Sequence, residues 1–166
     1  MKNKISILGL MTIIAILSIA CNKKSEEATV APTVDKEQIK MEIQAIENTF
    51  ATHYNTKNTD SITYYADDAQ SFFIGRNPLV GKESILKFLS TDIQGMGSGI
   101  KISFKTNEVH VSNDGINVTE IGQFKLVDST DAKIDSGNYF SVFEKRNGKY
   151  VCIRDIAASD MPAAVK

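Results

Sequence analysis

The sequence predicts an α+β domain, and three observations carry that expectation. Apolar residues recur at helical spacing between Ile39 and Leu89. They alternate at strand spacing from Ile100 to the C-terminus, and the run Gly95-Met96-Gly97-Ser98-Gly99 divides the two regimes. Helices first and an antiparallel meander afterwards exclude the βαβ alternation of a parallel sheet.

In chain order, Met1 to Lys4 carries two lysines, and Ile5 to Ala20 has no charge and ends at Cys21. Sixteen helical residues reach roughly 24 Å, short of the ~30 Å hydrocarbon core, so residues 1–20 read as a secretory signal. Residues 21–34, rich in Lys, Ser, Glu, Ala and Thr with Pro32, have no apolar period and read as a flexible spacer. The folded domain is expected over 35–166. Asp35 is a helix N-cap with Gln38 three residues on. Ile39, Ile43, Ile46, Phe50 and Tyr54 then lie on one helical face. Asp60 is expected to cap a second, shorter helix through Ile62, Tyr65 and Ala66, followed by a short strand at Gln70–Ile74. A turn at Gly75–Pro78 precedes a third helix whose buried side is Ile85, Leu86, Phe88 and Leu89.

Four strands are expected next. The apolar phase shifts between Phe104 and Val109, which predicts a bulge. Asn113-Asp114-Gly115 predicts a hairpin turn, and the following strand alternates Ile116, Val118, Glu120, Gly122, Phe124 and Leu126. A polar connection over Asp128–Asp135 leads to Tyr139–Glu144, paired through Asn147-Gly148 with Tyr150–Ala157.

Composition narrows the function classes. With 42% hydrophobic and 23% charged residues, and 19 basic against 20 acidic side chains, the chain suits one globular domain. It lacks the basic excess that phosphate-backbone binding requires, so no nucleic-acid partner is expected. Loss of Lys2 and Lys4 with the signal leaves 17 basic against 20 acidic groups. Two cysteines and two histidines do not make a closely spaced four-ligand zinc site, and His53 and His110 lack partners at ligand spacing, so no metal is expected. Cys152 sits in an apolar alternation and reads as a buried thiol. The glycine run follows a helix and precedes a strand, the reverse of a phosphate loop, and Asp128, Asp131 and Asp135 lack calcium-loop spacing.

Ala20-Cys21, with Leu17 and Ser18 upstream, resembles the lipobox of bacterial lipoproteins. The resemblance implies lipidation at Cys21, anchoring in the cell envelope, and, because Asn22 rather than Asp follows, delivery to the outer membrane, on either its periplasmic or its surface face. The membrane is then met through the lipid alone. Further on, Asp60-Ser61-Ile62, Tyr65-Ala66-Asp67-Asp68-Ala69, Pro78 to Ile85 (PLVGKESI) and Asn147-Gly148-Lys149-Tyr150 occur in an order that resembles the nuclear transport factor 2-like superfamily, SnoaL-like and ketosteroid-isomerase-like branch, over residues 35–160. That resemblance implies a cone: a strongly curved antiparallel sheet wrapped around the long N-terminal helix, with two shorter helices and a pocket at the open end. It also implies a homodimer through the outer sheet face.

The fold hosts many chemistries and does not choose among them. The position matching the isomerase base is Phe73, its partner acid falls at or near Phe140, and the helix-1 tyrosine position is near Thr52, with Tyr54 out of register. An interior without the isomerase's proton-moving dyad is therefore expected. The pocket candidates are Tyr54, Tyr65, Phe73, Glu120, Tyr139, Arg154 and Asp155. Tyr64, Phe72 and Phe140 complete an aromatic group that either lines a cavity or packs the core. Glu120 faces inward or outward depending on the sheet. Arg154 shares an alternation with Tyr150, Cys152 and Ile156, and Asp155 shares the opposite one with Val151 and Ile153, so the face that looks inward decides between these two charges. Three functions follow: a non-catalytic binding module for a small apolar or aromatic ligand or a protein partner; a small cofactor-free isomerase, cyclase or dehydratase using Glu120 or Asp155 as base; or a filled dimerisation unit. No cofactor is expected.

Overall fold

The computed structural model describes residues 34–162. The expected signal segment, Cys21 and most of the spacer lie outside them. Among the described residues no helix is long and apolar enough to cross a membrane.

Helix α1 (Lys36–Asn55) starts where Asp35 caps it, its carboxylate accepting from Gln38 N at 3.0 Å. Such a cap is worth about 1 kcal/mol. Its inward face carries Ile39, Ile43, Glu47, Phe50 and Tyr54, all buried. A 3-10 turn (Thr59–Ser61) leads to β1 (Tyr65–Phe72) and the two-residue β2 (Leu79–Val80); α2 (Lys82–Gly95) buries Ile85, Leu89 and Ile93. Then come β3 (Lys101–Val111), β4 (Asn117–Val127), β5 (Lys133–Arg146) and β6 (Lys149–Ser159).

The second short helix expected at residues 60–66 is reduced to that one turn. Ile62, Tyr64, Tyr65 and Ala66 are all buried, which a one-sided helix does not achieve. Tyr64 O accepts from Cys152 N at 2.8 Å, drawing the segment into the sheet. Tertiary pairing has overridden the local helix signal.

The six strands form one curved, unclosed sheet in the order β2-β1-β6-β5-β4-β3. All neighbours run antiparallel except β1 and β6, which are parallel. A parallel pair needs a long crossover, here supplied by β2, α2 and the β3–β5 meander. Register shifts between Thr106 and Glu108, between Leu126 and Val127, and between Val142 and Phe143 bend the sheet. The first is the bulge expected from the apolar phase change. Asn147 (φ 52°) and Gly148 (φ 80°) make the two-residue β5–β6 turn, with the left-handed pair of angles that matches strand twist.

Helix α1 covers the concave side of β3 and also seals its free edge. Asn55 Nδ2 donates to Ile102 O (2.9 Å) while its Oδ1 accepts from Ile102 N (2.8 Å). Gln44 spans Phe104 O and Thr106 N in the same fashion, at 3.1 and 2.8 Å, and Lys40 Nζ donates to Asn107 O. Side chains thus occupy backbone groups that would otherwise template another strand.

Candidate functional site: a buried carboxyl seam beneath an open trough

Strand register decides which charges enter the interior. Val142 pairs with Arg154 and Phe143 with Cys152, so one step along β5 matches two along β6, and Ile153 is the extra residue. The bulge reverses the alternation after Cys152. Cys152 and Asp155 therefore both point inward, and Arg154 points out, where Nη1 donates to Ile153 O at 2.5 Å and lies 3.5 Å from Asp68 O. This corrects the expected grouping of Asp155 with Val151 and Ile153, and Arg154 does not meet Glu120.

One inward row crosses four strands: Glu120 on β4, Ser141 on β5, Asp155 on β6 and Ser71 on β1. Glu120, Ser141 and Ser71 are each at most 1% exposed. The helix adds Glu47, 1% exposed, from the centre of its buried face. Two carboxyl groups thus meet inside the cone, which overturns the expectation of an interior without an acidic pair, although neither occupies the isomerase positions.

Hydroxyl groups surround the acids. Glu47 Oε1 accepts from Tyr64 Oη at 2.6 Å, and the same phenol lies 3.1 Å from Ser141 Oγ. Glu120 Oε1 accepts from Thr106 Oγ1 (2.5 Å) and Tyr139 Oη (2.8 Å); Asp155 Oδ2 accepts from Tyr65 Oη (2.9 Å). Tyr139 reaches Glu120 by lying across Gly122, where a Cβ would fall 2.2 Å from the ring. Two buried oxygens, Glu120 Oε2 and Asp155 Oδ1, have no donor.

No cation balances this seam. The ion pairs among the described residues are Arg146 with Asp68 and with Glu144, while His110 Nε2 lies 3.9 Å from Glu108 Oε2 at the surface. Burial accordingly lifts Glu47 well above the ordinary carboxylate range, helped by the adjacent Glu120 charge, with the Tyr64 hydrogen bond opposing. Glu120 and Asp155 are raised by burial too, against the pull of their hydroxyl donors. Burial and the neighbouring acids push the Tyr64 and Tyr65 phenols up, and burial raises the Cys152 thiol. Glu47 and Glu120 are neighbouring buried acids whose like charge holds Glu47 up, and a proton on either relieves that repulsion. Among the described residues no three His, Cys, Asp or Glu side chains gather as a metal would require.

Above the seam, α1, the segment Ile62–Asp67 and the β5–β6 hairpin enclose an open trough of about 780 Å³. Its apolar wall includes Ile46, Phe50, Ile62, Tyr64 and Tyr65; His53, Lys82 and Lys149 lie along it. The rings of Phe50 and Tyr64 meet at a tilt with centres 4.8 Å apart, and those of Tyr64 and Tyr65 meet edge to face at the same distance. The two tyrosines belong to both places: they are lining residues of the trough, and their hydroxyls are bonded to the buried acids.

The remaining candidates are elsewhere. Tyr54 ties α1 to α2, donating to Asp92 Oδ2 at 2.9 Å beside Met96 Sδ at 3.1 Å, and is not among the residues that line the trough. Phe73 leaves β1 and packs on Phe88 at 4.6 Å, on which Arg76 also stacks, so it is removed from the interior. Phe140 is 42% exposed on the outer face. Tyr65, Glu120, Tyr139 and Asp155 are brought together; of the four only Tyr65 also lines the trough. Glu47, Thr106 and Ser141 were missed. A signal for Glu47 existed: it stands four residues after Ile43 and three before Phe50, on the apolar stripe itself.

No family model matches the chain, and no curated protein matches it. Solved structures do. A domain of unknown function with a cystatin-like fold from Nostoc punctiforme superposes with a TM-score of 0.65 at 11% identity, covering 79% of this chain and 81% of the other. LinA gives 0.65 at 14%, covering 78% and 92%; a candidate scytalone dehydratase from Novosphingobium aromaticivorans gives 0.61 at 13%, covering 75% and 87%. An NTF2-like protein with a cystatin-like fold from Novosphingobium aromaticivorans gives 0.62 at 14%, covering 77% and 86%. At these identities the likeness speaks for the fold, and it agrees with the cone built above: the chain has the nuclear transport factor 2-like fold.

Proposed function

We propose that the domain is a non-catalytic binding module for a small apolar or aromatic molecule, carried on a lipoprotein of the bacterial envelope anchored through Cys21. The observation that carries the binding role is the trough, a concave surface of mixed apolar and polar lining from which Glu47 and Glu120 are sealed. A general base has to come within about 2.6–3.2 Å of the proton it takes. Here Glu47 and Glu120 are sealed, and Tyr54 spends its hydroxyl on Asp92.

Ala45 lines the trough and is exposed, so Ala45→Trp fills it without touching the core. Binding of 1-anilinonaphthalene-8-sulfonate, followed by its fluorescence, is expected to weaken at least about tenfold in that variant, a loss of about 1.4 kcal/mol. Equal binding by both proteins would remove the trough from consideration. The anchor is tested by Cys21→Ser, expected to move the protein from the membrane to the soluble fraction.

A homodimer is the partner reading. Ile121, Phe140, Ile156 and Phe72 pair in register across β4, β5, β6 and β1 on the outer face, with Phe140 42% and Ile156 49% exposed. A row of this kind, spanning four strands, can meet its own copy about a twofold axis. Phe140→Lys is expected to yield a monomer in sedimentation.

Two observations favour a second reading, a small cofactor-free acid–base enzyme: the candidate scytalone dehydratase shares the fold, and Glu47 and Glu120 are neighbouring buried acids. That reading requires a ligand seated against the Glu120 carboxylate, and a complex with its ligand confined above the tyrosine floor would exclude it.

A further inference from the structure

The seam and the trough share a wall. Tyr64 and Tyr65 are lining residues of the trough and bind Glu47 and Asp155 with their hydroxyls. Every titratable group facing the acids can be named. They are Glu47 on α1, Tyr64 in the preceding segment, Tyr65 on β1, Glu120 on β4, Tyr139 on β5, and Cys152 and Asp155 on β6. None is cationic. The basic groups of the region, Lys82, Arg146 and Lys149, line the trough together with His53, Glu42 and Asp67; Arg146 is already paired with Asp68 and Glu144.

Glu120 Oε1 takes two donors, and Oε2 is the oxygen left open. A proton held by the pair removes one of the two like charges. When the proton leaves, two adjacent buried carboxylates carry like charge with no counter-ion, and water has to reach them. Of the two phenols bonded to the pair, Tyr139 on Glu120 and Tyr64 on Glu47, Tyr64 is the one that belongs to the trough.

We propose that the carboxyl seam is a proton-operated latch on the trough. With one proton shared between Glu47 and Glu120 the tyrosine floor is held closed; loss of that proton admits water beneath Tyr64 and loosens the floor. A ligand seated on the closed floor and the proton below it are therefore bound together. By linkage, ligand affinity falls as pH rises through the titration of the pair, at most about tenfold per pH unit for one proton. The coupling rests on the trough being the ligand site, whereas the latch itself does not.

The chain contains no tryptophan, so Thr63→Trp, at an exposed position on the trough, places a single reporter beside Tyr64. His53→Asn is included in every protein compared, which removes the trough's own imidazole. Reporter fluorescence and acrylamide quenching are followed from about pH 5 to about pH 9, with far-UV circular dichroism as the fold control. The latch predicts a one-proton transition in the parent that is absent from Glu47→Gln and from Glu120→Gln. It also predicts that Tyr64→Phe, which keeps the acids and cuts the link, retains the carboxyl titration in the infrared but loses the reporter's response. Binding of 1-anilinonaphthalene-8-sulfonate, whose sulfonate stays charged throughout, should weaken across the same transition in the parent only. A transition unchanged in both Gln variants, or no transition in the parent, overturns the latch. If Ala45→Trp blocks a probe whose binding is independent of pH, the latch falls and the trough stands. A reporter that follows the acids while the probe ignores Ala45→Trp keeps the latch and removes the trough as the ligand site.

Discussion

Single residues decide what the interior of this domain contains. Gly122 is required because the ring of Tyr139 crosses it to reach Glu120. Gly122→Ala is expected to cost about 1–3 kcal/mol, as overpacking does, measured by urea unfolding. In a Tyr139→Phe background the extra loss should be reduced only in part, because the ring atoms meet the new methyl group as well as the hydroxyl does. Ile153 acts differently: as the bulged residue of β6 it selects Asp155 over Arg154 for the interior. The sequence announces no such bulge, since β-branched and charged residues alternate plausibly in either phase. By contrast Glu120 was legible as a break in an apolar alternation, and Glu47 was legible as a charge on an apolar helical stripe. Their meeting was not, because it depends on how α1 crosses the sheet.

At the scale of elements, local patterns served well where burial is one-sided. Both α-helices, the Thr106–Glu108 bulge and the Asn147-Gly148 turn appear where periodicity and turn chemistry place them. The failure at residues 60–66 has a physical cause: a segment buried on all sides carries no periodicity to read. The sealed edge of β3 makes its own prediction. Asn55→Ala strips both partners from Ile102, and a loss of about 1–3 kcal/mol is expected for backbone groups left unpaired. Light scattering of the variant at raised concentration should report strand-mediated association, which the parent lacks.

For the molecule as a whole, pH separates two sets of carboxylates. Glu47, Glu120 and Asp155 are raised in the folded state, so folding binds protons. Their favourable contribution is complete below the unfolded value of about 4 and is lost as pH rises toward and through their folded values. Asp68, Asp114 and Asp128 are lowered, Asp68 by Arg146 and the others by hydroxyl and backbone donors. Their contribution is present above the unfolded value and lost as pH falls. The exposed set is screened by solvent, so the buried set dominates, and the melting temperature is expected to peak in mildly acid solution and decline toward neutrality. Glu47→Gln should flatten that decline in a series of thermal melts. A melting temperature that climbs steadily from acid to pH 8 would contradict this account.

Helix α1 divides its labour around its circumference. One side fills the core, another holds the β3 border, and Ala45, Thr49 and His53 along the trough do neither. Substitution can accumulate at those three sites at little expense to folding, so descendants of one such scaffold are free to diverge in what they hold while remaining alike in shape.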